Sequence, residues 1–234
     1  MSSDPPNPSR PEAGFVTFGV LRVDAPETAV ALTETLTGEV EGWVRHTPGF
    51  ISSRVHLSAD RLTVVNRGEW TSEAAYRTSF QENPAGGVLH ALGSRPGVLA
   101  ATVFSGTPAP GVRGPEAEAA ERPGVVVVAT RHLDGHPAAR RVLDLLAGSG
   151  EWKRDFPGFI SATPYIDRDG TTFVNYPMWV SELAYQAWMA DPRISEGQEE
   201  LARLEVAPPE YVLCTVAAQV DAAPRTPTTE EATR

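Results

Sequence analysis

Two polar side chains, Asn66 and Trp70, occur in a segment that otherwise has the pattern of an apolar β-strand. Because side chains alternate along a strand, both lie on the same side as Val64. A buried amide is costly unless its hydrogen-bonding groups are satisfied. An amide and an indole N–H in a water-poor cavity are donors that stabilise a developing oxyanion. The pair is therefore a candidate for catalysis, although a buried asparagine can also be purely structural.

The same pair occurs a second time, as Asn175 and Trp179. A tyrosine follows each tryptophan by six residues, Tyr76 in the first case and Tyr185 in the second. Both tyrosines fall in short segments predicted to be helical. They are either site residues or amphipathic aromatics that pack the helix onto the sheet.

An internal repeat explains the recurrence. With an offset of 109 residues, "WVRHTPGFISS" aligns with "WKRDFPGFISA", and "LTVVNRGEWTSEAAY" aligns with "TTFVNYPMWVSELAY". Sixteen of the 34 positions from Trp43 to Tyr76 are identical to their partners. We interpret this as a gene duplication. The predicted organisation is a disordered N-terminus (1–13), a first domain (14–106), a linker (107–123), a second domain (124–220) and a disordered tail (221–234).

Each copy has the same order of predicted elements. A strand at 15–23 precedes a helix whose apolar face carries Ala29, Leu32, Leu36 and Val40. Two strands, 50–57 and 61–70, then form a hairpin around a three-residue turn. Short helices and a closing strand complete a β-α-β-β-α-β unit, which favours an α+β fold of two tandem ferredoxin-like domains. In the second copy the strands are predicted at 124–133, 159–166, 171–180 and 210–220.

The predicted hairpin also places a histidine. A three-residue turn pairs Leu57 with Arg61, which puts His56 over the same face as Asn66. The second copy has Tyr165 at the corresponding position.

Composition limits the kinds of partner. The 234 residues carry a formal charge of −10, which disfavours nucleic acid and anionic membrane surfaces. We find no pattern of an export signal or a membrane span. The single cysteine, Cys214, lies in an apolar run and is expected to be buried. These features predict a cytoplasmic protein.

The motifs "TPGFIS" with "VNRGEWTSEAAY", and "FPGFIS" with "VNYPMWVSELAY", resemble the antibiotic biosynthesis monooxygenase (ABM) domain. That family includes cofactor-independent anthrone oxygenases of aromatic polyketide pathways. Its single-domain members pair through their sheets, so the resemblance implies a monomeric pseudo-dimer.

The resemblance also implies site residues. The first copy matches the anthrone oxygenase pattern with Asn66, Trp70, Tyr76 and His56. The family's downstream arginine has no strict match, and Arg95 is the nearest candidate. In the second copy we expect Asn175, Trp179, Tyr185 and Tyr165 to bind substrate. Since only the first copy keeps the histidine, its pocket is the predicted active one.

The implied activity is O2-dependent oxidation of an electron-rich polycyclic aromatic, an anthrone or a hydroquinone, with no tightly bound cofactor. Haem degradation is disfavoured because Phe80 and Met189 occupy the position of that subfamily's iron-binding histidine. We expect no metal site, although His132, Asp134 and His136 alternate in a metal-like spacing.

The sequence leaves further activities open. A tandem chain also resembles angucycline ring-opening oxygenases, which use reduced flavin as a diffusible reductant. A cofactor-free cyclase or isomerase on the same fold is compatible with the motifs, and so is a non-catalytic ligand-binding protein.

Overall fold

The computed structural model describes residues 12–224, apart from the side chains of residues 149–151 and 196. The first half contains β1 (Phe15–Val23), α1 (Pro26–Gly42), β2 (Phe50–Ser58), β3 (Thr63–Trp70), α2 (Glu73–Tyr76), α3 (Gly87–His90) and β4 (Val98–Pro108). The connecting strand β5 spans Val112–Arg113. The second half contains β6 (Val125–Leu133), α4 (His136–Lys153), β7 (Phe159–Ile166), β8 (Thr172–Trp179), α5 (Glu182–Met189), α6 (Pro192–Ala202) and β9 (Glu205–Asp221).

Helix α1 follows the predicted apolar pattern. Its buried residues are Ala29, Leu32, Leu36 and Val40. They pack against one face of the first-half sheet: the first three share an apolar cluster with Val55 and Val64, and Val40 packs in the cluster of Trp70. The helix therefore covers the face of β3 that also carries Asn66.

The nine strands form one sheet in the order β4-β1-β3-β2-β9-β6-β8-β7-β5, and β4 also pairs with β7. The sheet thus closes on itself. The last strand of each half pairs with the hairpin of the other half, since β9 pairs with β2 and β4 pairs with β7. This confirms the predicted fold of two tandem ferredoxin-like units joined as a pseudo-dimer.

The inner face of the closed sheet forms a core shared by both halves. Val16, Phe18 and Val65 meet Val126 and Val174 there. Consequently both faces of the hairpin strands β2 and β3 are largely buried, one against helices and the other against the opposite half.

The hairpin between β2 and β3 is wider than its predicted three-residue turn. Leu57 pairs with Val64 and not with Arg61. Two side chains fix the longer loop: Asp60 accepts the backbone N–H of Leu62 at 2.9 Å, and Ser58 accepts that of Thr63 at 2.9 Å. The three-position shift is odd, so it moves the alternate side chains of β2 to the opposite face.

The predicted linker at 107–123 is partly structured. Its first residues extend β4, and β5 pairs with β7 through Val112 and Ala162. A 3₁₀ turn follows at Ala117–Glu121. The predicted disordered ends lie mostly outside the described residues, and the domain boundaries stay predictions.

Candidate active site

Asn66 lies in the middle of β3, between Gly19 of β1 and Val55 of β2. It is half-buried on the helix-covered face. Its side-chain oxygen accepts a hydrogen bond from the Ser53 hydroxyl at 2.6 Å, which fixes the amide and leaves its NH2 group to donate. A Cβ built on Gly19 would meet no atom within 4 Å. Open space therefore lies beside a fixed amide donor.

Aromatic rings occupy the end of this face next to Trp70. Trp70 is 2% exposed and meets Tyr76 edge-on, with 5.4 Å between ring centroids. Phe80 lies nearly parallel to two rings, Trp43 at 5.8 Å and Tyr76 at 5.4 Å. Burial raises the pKa of the Tyr76 phenol. The first half thus brings Asn66, Trp70 and Tyr76 onto the same face, next to a stack of flat rings.

Phe80 belongs to a π-helical segment, Arg77–Gln81, that continues from α2. Single π-helical turns are often found at functional sites. The exposed ring of His90 meets Phe80 edge-on at 5.3 Å. In the sequence, His90 lies near the position that the family's spacing gives to the downstream arginine, and a histidine in place of that arginine gives no clear signal.

The side chain of Arg95 is bonded to helix α1 and not to the residues around Asn66. Its Nη1 donates to the Thr35 hydroxyl of α1 at 3.1 Å. Within residues 12–224, no hydrogen bond or ion pair joins Arg95 to Asn66, Trp70 or Tyr76. A role for Arg95 beside these residues stays a prediction.

His56 is not on the face of Asn66, which corrects the placement derived from the three-residue turn. It lies opposite Val65 and is buried in the core between the two halves. Its Nδ1 donates to the Val65 carbonyl at 3.1 Å, so its Nε2 accepts from the Tyr176 hydroxyl at 2.6 Å. Burial lowers the pKa of His56 to about 3. The imidazole is therefore neutral, fully bonded and separated by the sheet from the Asn66 pocket.

Tyr165 also lies in the inner core, away from Asn175 and Trp179. Its hydroxyl accepts a hydrogen bond from Arg67 Nη2 at 2.7 Å, and Arg67 in turn bonds to Glu69 at 2.5 Å. Burial raises the pKa of the Tyr165 phenol. The expected placement of Tyr165 beside Asn175 is wrong, because Tyr165 pairs with Val174, on the opposite face of the sheet from Asn175. The tyrosine instead joins the two halves, and a role in binding substrate stays a prediction.

The second half places Asn175, Trp179 and Tyr185 in the corresponding position, but its surroundings differ. Ala129 lies opposite Asn175, and Ala162 stands where the first copy has Ser53. Trp179 is 0% exposed and lies 6.1 Å from Tyr185 between ring centroids. The second asparagine therefore has no hydroxyl equivalent to Ser53 to fix it.

Three tryptophans and one lysine fill much of this second region. Trp152 stacks on Trp188 at 4.1 Å, and Trp188 contacts Trp179 at 5.6 Å. The Lys153 ammonium nitrogen lies 4.6 Å from the Trp188 ring centroid. Lys153 was missed from the sequence, where its only signal is that it is the one lysine of the chain.

Within the described residues, no group of three or more His, Cys, Asp and Glu side chains is placed to hold a metal ion. His132 instead approaches Glu210, at 3.9 Å. Among the same residues, no helix is both long and apolar enough to cross a membrane.

Comparison with known proteins gives partial sequence similarity and extensive structural similarity. No family model matches the chain. Over 60 residues, 26% of this chain, the sequence is 45% identical to tetracenomycin-F1 monooxygenase of Streptomyces glaucescens. That match spans 50% of the relative, so this chain covers about half the length of the curated protein it matches.

Solved structures match nearly the whole chain. An anthrone oxidase-like protein aligns with a TM-score of 0.75 and 17% identity, over 91% of this chain and 95% of the other. A ferredoxin-fold protein from Listeria monocytogenes, described as related to antibiotic biosynthesis monooxygenases, aligns with a TM-score of 0.53 and 12% identity. It covers 88% of this chain and 96% of the other. At these identities the likeness shows the fold.

Proposed function

From the premise that the chain has the ABM-like ferredoxin fold in tandem, we propose that it is an O2-dependent oxygenase. Its substrate is an electron-rich polycyclic aromatic polyketide, in the anthrone or hydroquinone form. The partial identity to a tetracenomycin-F1 monooxygenase supports this class of reaction and substrate.

One observation carries the proposal: the first half holds a fixed amide donor next to open space and flat aromatic rings. Ser53 orients Asn66, and Gly19 leaves room beside it. Trp43, Phe80 and Tyr76 form a parallel stack, and such faces match a planar substrate. The candidate site therefore lies between α1 and the sheet in the first half.

The chemistry follows from ionisation of the substrate. A deprotonated anthrone transfers one electron to O2, and the radical and superoxide combine into a peroxide anion. Protonation and loss of water give the quinone, so one oxygen atom enters the product and the other leaves as water. Asn66 and Trp70 donate hydrogen bonds to the developing oxyanion in this account.

Tyr76 and His90 are the proposed proton-transfer groups. Since the pKa of Tyr76 is raised by burial, its phenol stays protonated and supplies the proton to the peroxide. The exposed His90 accepts the substrate proton. His56 has no part in this scheme, because its nitrogens are occupied on the other side of the sheet.

The scheme needs no tightly bound cofactor. Reduced flavin enters only where the substrate arrives as a quinone and must first be reduced, as ring opening of an angucycline requires. We propose that the protein acts as a monomeric pseudo-dimer, since both halves are present in one closed sheet.

Incubation with a panel of anthrones and angucycline quinones tests the function. We expect quinone formation from an anthrone in air, without metal or flavin, and none under argon. Activity that continues without oxygen would indicate a cyclase or isomerase. Binding without any conversion, with and without reduced flavin, would indicate a ligand-binding protein.

A further inference from the structure

Lys153 is the one lysine of the 234-residue chain, and it ends helix α4. Copy one has Val44 at this position, which is 2% exposed and packs into an apolar cluster with Trp70. A valine side chain is apolar, whereas a lysine side chain carries a charged ammonium group. The substitution therefore brings a charge to a place that is apolar in the other half.

Aromatic rings surround the amine. Its nitrogen lies 4.6 Å from the ring centroid of Trp188, 4.8 Å from that of Phe159 and 5.6 Å from that of Trp179. Among the side chains that the structure describes, none forms a hydrogen bond or an ion pair with Lys153. The contacts that the described side chains make with this charge are cation–π contacts.

A second donor at the same place also has no partner. The Trp179 indole nitrogen is buried, and within the described residues it has no hydrogen-bond acceptor. A buried N–H without an acceptor is costly, and most such groups in proteins are paired. The Lys153 ammonium nitrogen lies over the Trp179 ring, 5.6 Å from its centroid, so two donors without acceptors among the described residues, one of them on a cation, meet at this ring.

Partly exposed side chains border these donors. Trp152, Lys153, Phe156 and Tyr185 are half-buried, whereas Phe159 and Trp179 form the closed end. A ligand that reaches Lys153 therefore meets aromatic faces before it meets the two donors.

We propose that the second-half pocket is a binding site for an aromatic oxyanion, a phenolate or enolate, whose oxygen accepts hydrogen bonds from Lys153 Nζ and Trp179 Nε1. The donors specify a negatively charged oxygen and the rings specify a planar aromatic body. That the aromatic is a polyketide rests on the proposed function.

An aromatic cage that only stabilises the lysine is the competing explanation, because such contacts favour an ammonium group. Two observations argue against it. Burial lowers the pKa of Lys153 to about 8, so the cage does not fully replace water around the charge. The cage also gives no acceptor to the Trp179 N–H. An oxyanion satisfies both groups at once.

Binding of alizarin tests the proposal without oxygen chemistry. Alizarin is a planar hydroxyanthraquinone that is already oxidised, and its absorption moves to longer wavelength when a phenol ionises. We expect the wild-type chain to bind it as the phenolate at a pH where free alizarin is neutral. Lys153→Met should weaken binding at least about tenfold and restore the neutral spectrum, whereas Lys153→Arg should keep the phenolate.

Matched tryptophan variants locate the site. Trp179→Phe removes the N–H and keeps an aromatic ring, so it should weaken the binding that depends on Lys153, whereas Trp70→Phe reports separately on any alizarin that the first-half pocket binds. Thermal unfolding checks that each variant is folded. Absence of binding, a neutral spectrum for the bound dye, or equal binding by Lys153→Met and the wild type would overturn the proposal. Oxygen uptake with an anthrone, measured separately, reports on the proposed function.

Discussion

The two pockets have the same Asn, Trp and Tyr, and a phenylalanine packs against the tryptophan in both, but several other neighbours differ. In the first, Ser53 orients Asn66 and Gly19 leaves open space. In the second, alanines replace both small neighbours, three tryptophans fill the region, and Lys153 brings a charge. Fusion of two copies in one chain allows each pocket to change independently. The first has the features of a reaction site and the second those of an anion-binding site.

The largest expected effect is a difference in turnover between variants of the two asparagines, Asn66 and Asn175. Asn66→Ala removes an oxyanion donor and should lower turnover about 10²–10³-fold. The matched change Asn175→Ala should lower it less than tenfold. Steady-state rates with an anthrone, together with unfolding curves for both variants, measure the difference. Equal losses in the two folded variants would show that both pockets carry out the reaction.

His56 should contribute to stability and not to turnover. His56→Phe leaves the Tyr176 hydroxyl buried without its acceptor, at a cost of about 1–3 kcal/mol in the free energy of unfolding. Tyr176→Phe in the His56→Phe background should recover part of that loss, because the unpaired hydroxyl is gone. Urea unfolding provides the free energies. A folded His56→Phe variant with a hundredfold lower rate would contradict the placement of His56 outside the site.

Ser53 fixes the orientation of the Asn66 amide, and the second pocket has no equivalent hydroxyl for Asn175. Ser53→Ala gives the first pocket the residue found in the second and frees the Asn66 amide. We expect turnover to fall about tenfold with little change in the binding of a substrate analogue, the usual loss for one hydrogen bond. An unchanged rate would mean that the hydroxyl does not position Asn66.

The last contrast between the pockets concerns the charge of Lys153, which acts on stability and not on turnover. Its pKa of about 8 lies below the ordinary lysine value of 10.5, so between these values the unfolded chain binds more protons than the folded one. This group should therefore make the protein more stable as pH rises from about 8 to 10.5. Lys153→Met should lack that contribution. Urea unfolding across this range measures it, and ¹⁵N labelling of lysine gives a single Nζ signal that should titrate near pH 8.

Much of this comparison was predictable from the sequence. The repeat gave the two halves, and alternation along β3 placed Asn66 and Trp70 together. The wrong placement of His56 has a physical cause: both faces of β2 are buried, so its hydrophobic pattern does not reveal the register. The loop bonds of Ser58 and Asp60 set it instead. The aromatic cage of Lys153 depends on contacts between distant segments, which no local pattern contains.

Labelled dioxygen tests the central claim most directly. In ¹⁸O2, with an anthrone and no added metal or flavin, the account predicts a quinone that carries one ¹⁸O atom, with the other in water. Asn66→Ala should form this product far more slowly. A quinone whose new oxygen comes from water, or equal formation with and without the protein, would contradict the account.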